Sequence, residues 1–229
     1  MRQAGIVIDV ADDLLSFQIA GGQSYRPGEY RVNGDWPSSA AILAAGALTC
    51  SGIIVERLFE DGQGERAVLD WLRETGVDVS WDGERVELRG HDGLRGVDFD
   101  GDQATDAVLA MLTVAAHADG TSRFYGIGNL RYKECDRITV PVNELRRFGV
   151  DCHEEGEAIV VRGRAAGYDG GHEAQTYHDH RVAQMQALMG LRSLDGAVVL
   201  DAETVGKSYP AFFNDLIGLG AQIDIESDR

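Results

Sequence analysis

The chain has 229 residues, of which 44% are hydrophobic, and its 38 acidic and 21 basic side chains give a formal net charge of -17. This length and apolar content suit one large packed domain, or one domain with a piece of another. The negative charge argues against nonspecific binding to nucleic acid or to an anionic membrane. The three cysteines form no Cys-x-x-Cys pair, which argues against a disulfide framework or a zinc site and favours a reducing compartment.

Two further features favour a cytoplasmic protein. The first residues lack the basic-then-apolar plan of a signal peptide. The longest apolar run, Ala40–Leu48, is too short to span a bilayer. We therefore expect a cytoplasmic protein with neither membrane nor nucleic acid as a partner.

Residues 1 to about 33 have the pattern of short strands separated by turns. The predicted strands are Gly5–Val10, Phe17–Ala20 and Glu29–Val32. A small sheet with unpaired edges and no helix to cover it does not form a stable domain by itself. We expect this segment to depend on other structure.

From about residue 34 the sequence repeats three times, over about 34–93, 94–166 and 167–229, in the order helix, strand, helix, hairpin. Gly76, Gly149 and Gly220, which are 73 and 71 positions apart, recur after the second helix of each unit and predict helix ends. The predicted elements are helix Ser38–Thr49, strand Ile53–Arg57, helix Glu65–Glu74 and hairpin Val77–Arg89; helix Asp106–Ala118, strand Ser122–Ile127, helix Ile138–Phe148 and hairpin Val150–Arg162; and helix Asp179–Leu191, strand Ala197–Asp201, helix Ala211–Leu219 and a last strand, Ala221–Ile225.

The first helix of each unit is the most apolar, so we predict that these three helices lie at the centre and the more charged second helices outside. The central helices begin near Asp35–Ser39, Asp102–Asp106 and His178–Arg181. Helix N-termini suit phosphate and carboxylate ligands. The alternative is that the polar residues there, Asp35, Ser38, Thr105 and Asp179, are plain N-caps.

A dense run of opposite charges, Asn129–Arg137 (Asn-Leu-Arg-Tyr-Lys-Glu-Cys-Asp-Arg), lies between a predicted strand and a predicted helix. Three cations and two carboxylates in nine positions suit a site that holds an anion and moves a proton. The simpler alternative is a solvated turn with surface ion pairs.

The sequence of this run resembles the N-x-R-x-K-E-x-D-R signature of the 5-enolpyruvylshikimate-3-phosphate synthase family. Three other stretches match that family in order and spacing: Gly34–Ala40 (Gly-Asp-Trp-Pro-Ser-Ser-Ala), Tyr177–Arg181 (Tyr-His-Asp-His-Arg) and Lys207–Phe213 (Lys-Ser-Tyr-Pro-Ala-Phe-Phe). The joint match is far more specific than any single motif. It covers essentially the whole chain but only about the C-terminal half of the family's usual length. A proline replaces the first serine of the Gly34–Ala40 motif, which places any ligand contact of that serine in doubt.

The resemblance implies an α/β fold, in which an inside-out enolpyruvyl transferase domain is built of three βαβαββ units. Residues 34–229 then form the C-terminal domain, and residues 1–33 are tail strands of the other, incomplete domain. Met1 falls where the family's chain lies inside a helix, so we expect a cut chain.

The reaction implied is transfer of the enolpyruvyl group of phosphoenolpyruvate to the 5-hydroxyl of shikimate 3-phosphate, with release of phosphate and no metal or organic cofactor. This step leads toward chorismate and the aromatic amino acids. Glu134 matches the glutamate that protonates and then deprotonates the methylene carbon. Asp106 matches the aspartate that binds the shikimate hydroxyls and acts as base. Because both change protonation in a turnover, we expect perturbed pKa values.

The remaining family residues bind substrate. Asn129 and Lys133 match contacts to shikimate 3-phosphate. The phosphoenolpyruvate contacts are matched by Arg137, His180, Arg181 and Lys207. A guanidinium suits a carboxylate or phosphate better than an ammonium does. His178 and His180 have the spacing of a metal pair, but no cluster of Cys or carboxylates completes a ligand set.

Since the family's N-terminal half supplies further contacts, we expect the chain to be inactive or nearly so without a complementary N-terminal half. Two alternatives stay open. One is an enzyme like the enolpyruvyl transferase that acts on UDP-N-acetylglucosamine, and the other is a non-catalytic half that binds phosphorylated ligands.

Overall fold

The computed structural model describes residues 1–226 and divides the chain into two compact units, Met1–Asn33 and a second unit that begins at Gly34. The first unit contains a 3₁₀-helix, Arg2–Ala4, and an antiparallel pair of strands, β1 (Ile8–Val10) and β2 (Phe17–Ile19). The predicted third strand, 29–32, is not formed. All four of its residues are exposed, so burial of an apolar face does not hold the segment in a sheet.

The six α-helices of the described chain all lie in the second unit and are α1 (Trp36–Thr49), α2 (Val68–Glu74), α3 (Val108–Ala116), α4 (Thr139–Arg147), α5 (His180–Arg192) and α6 (Phe212–Gly218). The helices α1, α3 and α5, one from each repeat, pack against one another and are almost wholly buried. The apolar, small-residue composition of α1 and α3 permits this close packing on every side, and α5 buries polar residues such as Gln184 and Gln186 as well. The prediction that they are the central helices is confirmed.

The remaining strands form three sheets of the second unit and are β3 (Ile53–Val55), β4 (Asp78–Trp81), β5 (Val86–Gly90), β6 (Asp98–Asp100), β7 (Gly120–Tyr125), β8 (Asp151–Glu155), β9 (Ala158–Gly163), β10 (Glu173–Ala174) and β11 (Val198–Val199). Their orders are β3-β5-β4, β6-β7-β9-β8 and β10-β11. The pairs β6–β7 and β10–β11 are parallel, and the other pairs are antiparallel. The mixed α/β class that the sequence predicts is confirmed.

The second helix of each repeat ends as predicted. Gly76, Gly149 and Gly220 follow α2, α4 and α6 by two residues and have φ of +102°, +89° and +102°. This left-handed conformation stops a helix with little cost at glycine. Helix α2 and the second central helix, α3, are shorter than predicted, because 3₁₀ turns at Gly64–Ala67 and Thr105–Ala107 precede them.

The third repeat differs most from its prediction. The predicted strand 197–201 reduces to the two residues of β11, and residues 221–225 form no strand. A strand exists through hydrogen bonds to a neighbouring strand, and no strand of the described chain pairs with residues 221–225. Ala221 and Ile223 instead pack against the core as irregular chain.

Candidate functional site

The site is built around Arg137, whose side chain is only 2% exposed. It lies just before α4, in the turn that follows a 3₁₀-helix, Gly128–Tyr132. Its Nε and Nη2 donate to the two carboxylate oxygens of Asp179, at 2.7 and 2.9 Å. Asp179 is fully buried and also caps α5 by accepting from the Arg181 N–H at 2.8 Å.

The same guanidinium holds two further carboxylates. Nη1 donates to Asp106 at 3.0 Å, and Nη2 donates to Glu134 at 2.8 Å. Burial by itself lowers the pKa of Arg137. The hydrogen bonds and charge contacts with Asp179 and the other two carboxylates have the larger, opposite effect, so the net pKa lies above its ordinary value. Three carboxylates from separate parts of the sequence are thereby fixed around one cation, and Arg137 uses four of its five N–H donors on them.

Glu134 faces a second cation, Lys207, from the third repeat. The Nζ of Lys207 donates to its Oε1 at 2.6 Å. This hydrogen bond lowers the pKa of Glu134 to about 2. In this arrangement Glu134 is therefore ionised at neutral pH and is chemically a proton acceptor.

Lys133 and Asn129 lie on the exposed side of the site. The Nζ of Lys133 is 3.7 Å from Asp106 Oδ1, so Asp106 lies between two cations. Asn129 is exposed in the 3₁₀-helix 128–132, and within residues 1–226 the structure gives it no contact to the other predicted site residues.

Arg181 is a buried cation of a different kind. Its Nη1 donates to the Pro37 carbonyl at 2.9 Å and to Gln184 Oε1 at 3.3 Å. In the part of the chain that is described, no carboxylate lies within 4 Å of it, and its buried Nε has no hydrogen-bond partner. Burial lowers its pKa. An unpaired buried guanidinium with an unused donor is suited to an anionic ligand.

His180 lies close to the carboxylates of Glu134 and Asp179. Its Nδ1 is 3.9 Å from Glu134 Oε1 and 4.0 Å from Asp179 Oδ1, beyond hydrogen-bond distance of both. Burial, and then the charge of Arg181, lower its pKa. The ring is therefore neutral at pH 7. His178 points elsewhere, with a side chain 89% exposed, and within residues 1–226 no group of three His, Cys, Asp or Glu residues has a metal-binding arrangement.

Two residues that matter here lie outside the predicted set. Asp179 was predicted only as an N-cap, which it is, but it is also the main partner of Arg137. Its place inside the Tyr177–Arg181 motif was the available signal. Arg131 anchors the loop, because it donates to Asp136 at 2.9 Å and to Glu154 of β8 at 2.7 Å. Cys135 is not a nucleophile, since burial raises the pKa of its thiol to about 12.

A groove of about 860 Å³ runs between α1, β3 and residues 208–219, and it is lined in part by Asp35 and Ser38. None of the eight predicted site residues lines it. Seven of those eight meet in the cluster around Arg137 and beside it. Such an arrangement can hold anions on Arg181 and Lys207 next to carboxylates that can move protons.

Comparison with known proteins places this chain in a family. The family model for EPSP synthase (3-phosphoshikimate 1-carboxyvinyltransferase) matches residues 1–216. The curated 3-phosphoshikimate 1-carboxyvinyltransferases of Deinococcus radiodurans and Methanocaldococcus jannaschii are 40% and 32% identical, over 96% and 99% of this chain. The chain spans about half the length of the curated relatives it matches, 50% and 52% in these two.

Solved structures agree with the fold. An EPSP synthase from Acinetobacter baumannii superposes with a TM-score of 0.85 at 26% identity, over 99% of this chain and 54% of that one. The enolpyruvyl transferase NikO from Streptomyces tendae superposes with a TM-score of 0.75 at 19% identity, over 97% of this chain and 52% of its own, and shows the fold alone. No helix within residues 1–226 is long and apolar enough to cross a membrane. By the match of the family model over nearly the whole chain, this chain belongs to the EPSP synthase family.

Proposed function

We propose that this chain is the C-terminal half of a 3-phosphoshikimate 1-carboxyvinyltransferase. Together with a complementary N-terminal half, it transfers the enolpyruvyl group of phosphoenolpyruvate to the 5-hydroxyl of shikimate 3-phosphate and releases phosphate. The observation that carries the proposal is that Asp106, Glu134 and Lys207, far apart in the sequence, meet around buried Arg137. In this assignment residues 1–33 belong to the other domain and residues 34–229 to the C-terminal domain, and the enzyme works in the cytoplasm.

The reaction needs a proton on the methylene carbon while the hydroxyl oxygen bonds to the neighbouring carbon. It then needs one proton removed from the resulting methyl group as the bond to phosphate breaks. Glu134 is the group proposed to give the first proton and to take the second. Because Lys207 keeps Glu134 ionised, loading the proton requires that this contact be broken. A substrate phosphate that draws Lys207 away would raise the pKa of Glu134 toward its ordinary value.

Asp106 is the proposed base for the attacking hydroxyl. Its side chain is one-third exposed and is held from one side by Arg137. Lys133, whose Nζ lies 3.7 Å from Asp106 Oδ1, is proposed to bind shikimate 3-phosphate together with Asn129. A carboxylate is a suitable base for a substrate hydroxyl bound beside it.

Phosphoenolpyruvate is proposed to bind first at Arg181 and Lys207, with neutral His180 between them. Arg181 has an unused buried donor, and Lys207 is more than half exposed. Within residues 1–226, four of the five N–H groups of Arg137 donate to carboxylates, so bidentate binding of a substrate carboxylate or phosphate by Arg137 requires one of these contacts to break.

The test is phosphate release from phosphoenolpyruvate and shikimate 3-phosphate. It is measured with this chain alone, with the N-terminal half of a relative alone, and with the mixture. We expect turnover only in the mixture. In the mixture, Glu134→Gln should lower kcat by about 10²- to 10⁴-fold, as loss of a general acid–base group does. A surface control, Glu155→Gln, should leave kcat unchanged.

A mixture that stays inactive, although both halves are folded and bind each other, would contradict the transferase assignment. Binding of the two phosphorylated substrates without turnover would then favour the non-catalytic binding half. Turnover by this chain alone would contradict the need for a complementary half.

A further inference from the structure

The residues just before Asp179 adopt a backbone that their side chains disfavour. Tyr177 and His178 both have φ of +55°. The Asp179 N–H donates to the Thr176 carbonyl at 3.0 Å and closes a four-residue turn around them. Positive φ at both central positions is the pattern of a type I′ turn, which is dominated by glycine, asparagine and aspartate. A tyrosine and a histidine persist there only if other contacts hold the turn.

One such contact comes from a different repeat. The Tyr177 hydroxyl donates to Oε1 of Glu144, in α4, at 3.1 Å. Glu144 is 1% exposed, and its Oε2 accepts from Gln186 of α5 at 2.8 Å. Arg147 Nη1 lies 3.2 Å from Oε1 and neutralises the carboxylate. A buried carboxylate with three donors is a rigid anchor, because releasing any donor leaves it less compensated.

The anchored turn ends at the residue that holds the central cation. Asp179 follows His178 directly, and its carboxylate accepts two hydrogen bonds from Arg137, which in turn donates to Asp106 and Glu134. A shift of the turn therefore moves Asp179 and, through Arg137, the two carboxylates that we propose to be catalytic. Small displacements of such groups have large effects on rate.

We infer that the Tyr177–Glu144 hydrogen bond is a positioning contact that holds the strained 176–179 turn, and through Asp179 the orientation of Arg137, in place. Neither residue contacts the carboxylates that move protons. Their effect on turnover rests on the proposed function, whereas their effect on Arg137 does not.

The first test uses the isolated chain and a readout at Arg137 itself. The Arg137 Nε–H donates to buried Asp179, so its proton should exchange slowly with water and give its own NMR signal, assigned by its loss in Arg137→Lys. Tyr177→Phe should speed this exchange roughly tenfold, as expected for the loss of one net hydrogen bond. Glu144→Gln should leave it near the wild-type rate, since a glutamine amide can still bond to the Tyr177 hydroxyl and to Gln186.

Tyr168→Phe is the matched control. It removes a buried tyrosine hydroxyl that donates to the Ala116 carbonyl at 2.8 Å, away from this turn. In Tyr168→Phe the exchange rate of the Arg137 Nε–H should stay at the wild-type value even if the free energy of unfolding falls. Equal exchange rates in Tyr177→Phe and wild type, or an equal rise in Tyr168→Phe, would overturn the inference.

The second test adds the complementary half. Tyr177→Phe should lower kcat roughly tenfold and leave the KM for shikimate 3-phosphate unchanged, because Lys133 and Asn129 are not moved. A wild-type mixture without turnover would count against the proposed function, while the exchange result would still decide the positioning role. If Tyr177→Phe speeds the exchange of the Arg137 Nε–H but leaves kcat at the wild-type value, the contact positions Arg137 without serving catalysis, and the inferred effect on turnover is overturned.

Discussion

The carboxylate of Asp179 meets the guanidinium of Arg137 with both of its oxygens, at 2.7 and 2.9 Å, and both side chains are shielded from water. The pair joins two repeats, since the residues are 42 positions apart. An ion pair of this kind is retained because each charge makes the other tolerable in the interior.

Removal of one partner should therefore be costly. Asp179→Asn keeps the size of the side chain but leaves Arg137 with a weaker partner, and we expect the free energy of unfolding to fall by about 3 kcal/mol, in the range for broken buried pairs. Urea unfolding of the chain measures this. Asp151→Asn is the control, because its contact with Arg162 is exposed and 4.0 Å long, and it should change stability by less than about 0.5 kcal/mol. Similar losses in the two variants would contradict the central role of the pair.

Arg181 predicts the opposite effect on stability. It is buried with no carboxylate within 4 Å in the described chain, so its charge costs folding free energy. Arg181→Met should leave the chain equally stable, or more stable by roughly 1 kcal/mol, and should abolish turnover in the mixture. Urea unfolding and phosphate release check the two parts. A large fall in the free energy of unfolding would show that Arg181 stabilises the fold, and would contradict the proposal that its guanidinium is kept for binding an anion.

The contact between Glu134 and Lys207 predicts a pH dependence. The folded pKa of Glu134, about 2, lies below its ordinary value of 4.5. The pair therefore contributes stability that is fully present above pH 4.5 and is lost as the pH falls from 4.5 toward 2. NMR titration of the Glu134 carboxyl carbon should give a midpoint near 2, and Lys207→Met should move it upward. Lys133→Met is the control, because Lys133 contacts Asp106 instead. A wild-type midpoint near 4.5 would contradict the contact.

Arg131 predicts how firmly the charged loop is held. It joins Asp136 of the loop to Glu154 of β8, with a side chain 27% exposed. In Arg131→Ala we expect faster backbone hydrogen exchange across residues 133–138, by roughly tenfold, since two ion pairs to one guanidinium are lost. Arg123→Ala is the matched control, because Arg123 pairs with Glu155, which lies next to Glu154 in β8, and its side chain is 42% exposed. Equal exchange in the loop of both variants would show that Arg131 does not secure it.

Local sequence signals were sufficient for the helices. The apolar composition of α1 and α3 placed them in the centre, because a helix that is apolar all round must be buried on every side. Helix α5 is central although it also buries Arg181, Gln184 and Gln186. Gly76, Gly149 and Gly220 marked helix ends, because a left-handed residue is a local requirement. The motifs brought the family resemblance, which the comparisons confirmed.

The strands and the charge partners depended on the whole structure. Residues 29–32 and 221–225 have the composition of strands, but a strand exists only where a neighbour accepts its hydrogen bonds. The sequence by itself marked which residues carry charge and where the second helix of each repeat ends. Only the tertiary structure decided that Arg137 faces Asp179 and that Glu134 faces Lys207, 73 positions away, because such pairs are set by packing between repeats and not by spacing along the chain.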